Sequence, residues 1–77
     1  MDYNAFFADV EIWIGQANQA AVRLGMESPE FWQWVAESSG TLCKKYQEHR
    51  LAIKQMIMMI EWLEEVWEGR RNANAGS

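Results

Sequence analysis

The stretch "QMIMMIEWLEEVW", residues 55–67, decides the fold. It holds three methionines, two isoleucines and two tryptophans, and only four polar residues, Gln55, Glu61, Glu64 and Glu65. Placed on a helix at roughly 100° per residue from Leu51, its apolar side chains and those just before it fall into two stripes. Ile53, Met56, Ile57, Ile60, Leu63 and Trp67 occupy roughly 120–240°, an ordinary core stripe. Leu51, Met58, Met59, Trp62 and Val66 occupy roughly 340–80°, on another side. Lys54, Glu61, Glu65 and Glu68 share the remaining wedge, with Glu64 at its border. A helix apolar over most of its girth must be surrounded by other elements. Part of this one is therefore expected to be covered by its own chain and part by something else.

Working outward, "ESPEF" (residues 27–31) is the clearest punctuation. Ser28 suits the N-cap, Pro29 the first helical position, and Glu30 the positive helix start. A second helix over about 29–47 carries Phe31, Val35, Ser38, Leu42 and Tyr46 along one line, with Trp32, Ser39 and Cys43 beside it. Gly40, after two serines, is a point where it bends or restarts. Ahead of it, Tyr3, Phe6, Phe7, Val10, Trp13, Ile14, Ala17, Ala21 and Leu24 recur in steps of three and four. That spacing predicts a first helix over about 3–24. Asp2 is its N-cap and Gly25 its left-handed close. Ile12 and Val22 fall off this stripe.

"YQEHRLAIKQM" (residues 46–56) lacks proline and glycine. One helix from 29 to 68 would nonetheless be roughly 60 Å long, too long for so small a chain to cover. A turn near Glu48–Arg50 is expected, then a third helix over about 51–68, with Gly69 as its cap and residues 70–77 as a disordered tail. The result is an all-α, three-helix bundle forming one domain over residues 1–69, with antiparallel packing of helices one and three around helix two. Its expected core is Phe6, Val10, Trp13, Ala17, Phe31, Val35, Leu42, Tyr46, Ile53, Met56, Ile60, Leu63 and Trp67.

Composition narrows the function. The chain has 77 residues, an apolar fraction of 49% and a formal net charge of −4. So short a domain hides only about 60% of the surface its unfolded chain exposes. It needs a staple, a metal, very good packing or a partner. The single cysteine excludes an internal disulfide, and one cysteine with one histidine cannot make a four-ligand zinc site. Negative charge opposes phosphate backbones and anionic membranes. No segment reaches the ~18 apolar residues of a membrane span, and no basic, then apolar, export signal is visible at the start. A cytoplasmic setting is expected.

Chemistry-bearing residues are few. Cys43 and His49 are six apart and do not share a helix face, so they do not read as a nucleophile and base. Glu61, Glu64, Glu65 and Glu68 read as a solvated acidic face. No cofactor, metal or catalytic residue is expected. Lys44, Lys45, His49, Arg50 and Lys54 are the one basic concentration. Nucleic-acid binding through Lys44, Lys45, Arg50 and Lys54 is therefore the alternative function, opposed by the glutamates and apolar bulk of the third helix. The main expectation is a protein interface of Trp34, Leu51, Met58, Met59, Trp62 and Val66. Tryptophan dominates binding hot spots and methionine adapts to a partner's shape.

"FWQWVAESSGTLCKKY" (31–46) followed by "QMIMMIEWLEEVWEG" (55–69) resembles the short helical proteins encoded in phages and prophages of Gram-positive bacteria, over residues 1–69. The resemblance implies a non-enzymatic accessory or regulatory protein, often one that binds and alters another protein. It carries over no site residues. The apolar surplus itself points to a second copy (a homodimer) or to docking on a host or phage protein.

Overall fold

The structure, a computed structural model, describes residues 1–75 of the chain. It is all-α: α1 spans Tyr3–Leu24, α2 Pro29–Lys45 and α3 Arg50–Ala75. The two turns between them are short, so α1 and α3 each run antiparallel to α2 and therefore parallel to each other.

The first two helices start as their sequences dictate. Asp2 accepts a hydrogen bond from the Ala5 N–H at 3.1 Å, and Ser28 one from the Phe31 N–H at 3.2 Å, with Pro29 opening α2. Gly25 closes α1 at φ 85°, a conformation that strains any residue bearing a Cβ, while its N–H bonds to the Ala21 carbonyl. α2 runs unbroken through Gly40. Ser38 and Ser39 turn their hydroxyls back to the carbonyls of Val35 and Ala36 and cap nothing.

The turn between α2 and α3 falls at residues 46–49, within two residues of its expected place. The Glu48 N–H bonds to the Cys43 carbonyl at 2.8 Å and the Gln47 N–H to that of Lys44 at 3.0 Å. These two bonds make a Schellman close. It is built without glycine: Gln47 and Glu48 adopt φ values of 58° and 55°. His49 then opens α3, its Nδ1 accepting from the Leu51 N–H at 3.1 Å and its carbonyl from the Ile53 N–H.

At its far end α3 runs past Glu68, and Gly69 lies inside the helix instead of capping it. Glycine there costs about 1 kcal/mol of helix propensity. Opposing this, the Arg71 guanidinium sits 5.0 Å from the Trp67 ring. Of the expected tail, 70–75 continue α3 and 76–77 lie outside the described residues.

The core is centred on Phe6, Phe31, Val35 and Met56. Around it two indoles are anchored by their N–H groups. Trp13 Nε1 donates to Ser38 Oγ at 2.8 Å, tying α1 to α2, and Trp32 Nε1 donates to the Met26 carbonyl at 2.7 Å, fixing the first turn. Trp32 also meets Trp67 edge-on, which joins the start of α2 to the end of α3.

Two core assignments are corrected. Ile53 is exposed, and Met59, with Ala20, Met26 and Ala52, is buried. Tyr46, Ile60 and Trp67 are half-buried against the core. The cause is a rotation of α3. Its buried side chains Ala52, Met56, Met59 and Leu63 centre near 110° on the wheel begun at Leu51, between the two apolar stripes and roughly 70° from the expected axis. The helix thus buries the near half of each stripe and leaves the far halves in water.

Candidate functional site

That rotation leaves Met58 55% and Trp62 39% exposed on the flank of α3 facing α1, and Ile53 and Ile57 exposed on the other flank. α1 supplies a matching flank. Tyr3, Phe7 and Val22 are exposed there, Val22 at 89%, with half-buried Ile14 between them on the same side of the helix. α2 packs closely against both neighbours, whereas α1 and α3 approach each other less closely. The seam between them is a groove of about 220 Å³, with Ala17, Asn18, Ala21 and Val22 on one wall and Trp62, Leu63, Val66 and Arg70 on the other. The groove is hollow because α1 presents alanines there, whose side chains end at Cβ. Exposed Val22 and Trp62 stand at its edges, so the two flanks form one largely apolar face opposite α2, with exposed Glu11 and Asn18 among its α1 residues.

The six expected interface residues separate under this geometry. Met58 and Trp62 are on the open face. Leu51 and Val66 are half-buried, Val66 lining the groove and touching the core. Met59 is only 9% exposed and belongs to the core, a correction with the same rotational cause. Trp34 lies elsewhere. It stacks on Trp13 with centroids 5.7 Å apart and on Phe31 at 6.4 Å, and lines a second groove of about 490 Å³ between α1 and α2. The α1 half of the open face went unread in the sequence. Its signal was present in Val22, lying off the stripe of its own helix.

The basic residues are spread over the turn. Lys44, Lys45, Arg50 and Lys54 are all exposed. Lys45 is engaged: its Nζ lies 2.8 Å from Asp9 Oδ2, which also accepts the Tyr46 hydroxyl. These two hydrogen bonds hold the Asp9 carboxyl below its usual range, and Asp9 in turn pushes the Tyr46 phenol up to about 12. The triad clasps the start of α1 to the end of α2, and nothing in the sequence pattern announced it.

Cys43 is half-buried, and burial, with Glu48 nearby, raises its thiol above the ordinary value. A thiol held protonated is a poor nucleophile. His49 uses Nδ1 to cap α3. Among the described residues no three His, Cys, Asp or Glu side chains are grouped as metal ligands would be, and no helix is long and apolar enough to cross a membrane. Compared with protein-family models, with curated proteins and with solved structures, the chain matches none.

Proposed function

We propose that this chain is a non-enzymatic protein-interaction module that works by docking the apolar face between α1 and α3 against another protein surface. An accessory or regulatory role of the kind found in small phage proteins is part of the same proposal. The observation that carries it is the open seam, where Trp62 and Val22 flank an alanine-walled groove in a chain with little core. Scattered exposed apolar residues are ordinary, but aromatic, methionine and β-branched side chains gathered along one seam, with Asn18 and Arg70 as its polar lining, mark an association surface. The roles of Cys43 and His49 support the non-enzymatic half of the reading, one a protonated half-buried thiol and the other a helix cap.

The test is site-specific photocrosslinking in the cells that make the protein. A benzophenone side chain at Val22 or Met58 is expected to yield protein adducts, and one at the exposed positions Gln33 or Glu37 of α2 is not. No adducts from Val22 and Met58, or equal adducts from both sets, would overturn the reading.

A further inference from the structure

Resting on that reading, we infer that the occupant of the α1–α3 face is a second copy of this chain, its α3 laid antiparallel on α3 about a two-fold axis near Met58. The first ground is area. The exposed parts of Tyr3, Phe7, Val22, Met58 and Trp62 sum to roughly 500 Å². A stable interface takes about 800 Å² from each partner, and in homodimers about 65% of it is apolar, which is the same quantity. The face is therefore the size one copy of a self-associating chain must offer.

The second ground is charge. A two-fold axis lying in the interface and crossing the helices brings the same flank of α3 from each copy together. On that flank Lys54, Glu61 and Glu65 are all exposed, and Lys54 and Glu61 stand seven residues apart, two helical turns. With Met58 opposite itself, Lys54 of one copy stands level with Trp62 and beside Glu61 of the other, twice by symmetry. The lysine stem covers the indole and its ammonium meets the carboxylate. Lys54 meets Glu61 of the copy only in this antiparallel sense. The arrangement also gives Trp62, exposed in the lone chain, a place against the copy.

Sedimentation equilibrium of the full chain tests it. A mass near twice 9.0 kDa is expected at micromolar concentration. Trp62→Glu is expected to weaken association at least about 30-fold, the scale of a hot-spot residue, with helicity by circular dichroism unchanged. If that variant loses its helicity, Met58→Lys takes its place. Lys54→Glu and Glu61→Lys are each expected to weaken the dimer about tenfold, and the double variant to restore it. On a Cys43→Ala background, Met58→Cys is expected to oxidise to a disulfide-linked dimer, and Gln33→Cys is not. A monomer at 100 µM, a dimer indifferent to Trp62→Glu and Met58→Lys, or no disulfide from Met58→Cys would each overturn the inference. A monomer whose Val22 position still crosslinks to a different protein removes the second copy and leaves the docking face. The absence of every adduct removes both.

Discussion

Replacing Gln47 by glycine is expected to stabilise the protein, although it deletes a side chain. Gln47 is exposed, its side chain makes no hydrogen bond among the described residues, and it is held at φ 58° by the close of α2. A residue with a Cβ at such an angle costs roughly 1–2 kcal/mol. Glycine removes that cost but enlarges the freedom of the unfolded chain, a loss of about 0.5–1 kcal/mol. The net gain is therefore about 0.5–1 kcal/mol. With about 2.1 cal/mol/K of unfolding entropy for each of 77 residues, Tm should rise by about 3–6 °C. Thermal unfolding followed by circular dichroism at 222 nm measures this directly, at low concentration so that association does not contribute. Gln47→Ala is the control, since it shortens the side chain and keeps the strain; its Tm should stay near that of the parent. An unchanged or lower Tm for Gln47→Gly, beside an unchanged Gln47→Ala, would show that residue 47 is not left-handed and that the turn is built differently.

Other substitutions probe the remaining contacts. Ser38→Ala leaves the Trp13 N–H without its acceptor and is expected to cost about 1–2 kcal/mol in urea unfolding. His49→Ala removes the cap of α3 at a cost of about 0.5–1 kcal/mol, and His49→Asp should retain it; both are read by the same assay. Phe31→Ala, at the centre of the core, is expected to cost about 3–5 kcal/mol, enough to show a largely unfolded spectrum at 37 °C. The clasp gives a pH signature. The Tyr46 phenol is raised in the folded chain, so its contribution is complete below pH 10 and is lost as pH rises towards about 12. Asp9 is lowered, so its contribution is complete above its ordinary value of 3.8 and is lost as pH falls through its lower folded value. Tyr46→Phe should flatten the alkaline decline in a plot of Tm against pH; an unaltered decline would remove Tyr46 as its source.

The sequence by itself determined the elements and their starts. Asp2, Gly25, Ser28 and Pro29 act through backbone geometry within a few residues, so their meaning does not depend on what lies far along the chain. The core stripe of α2 was legible for a related reason, since that helix has one apolar side and one choice. On α1 the buried Phe6, Val10, Trp13 and Ala17 were legible too, but Tyr3 and Phe7 of the same stripe are exposed. α3 had no such single choice. Its apolar arc covers most of the circumference, so periodicity could not say which third would face inward, and Ile53 and Met59 exchanged places with expectation. Contact with the other helices settled that rotation, seating Ala52, Met56, Met59 and Leu63 in one core cluster with Phe6 and Phe31 and turning Met58 and Trp62 towards the seam with α1. Tertiary packing likewise made the clasp of Asp9, Lys45 and Tyr46, whose members lie 36 and 37 residues apart. It also drew Trp34 onto Trp13. Local sequence fixes where a helix begins because capping is a short-range bond; which side it buries is fixed by its neighbours, because burial is a property of the whole assembly of surfaces.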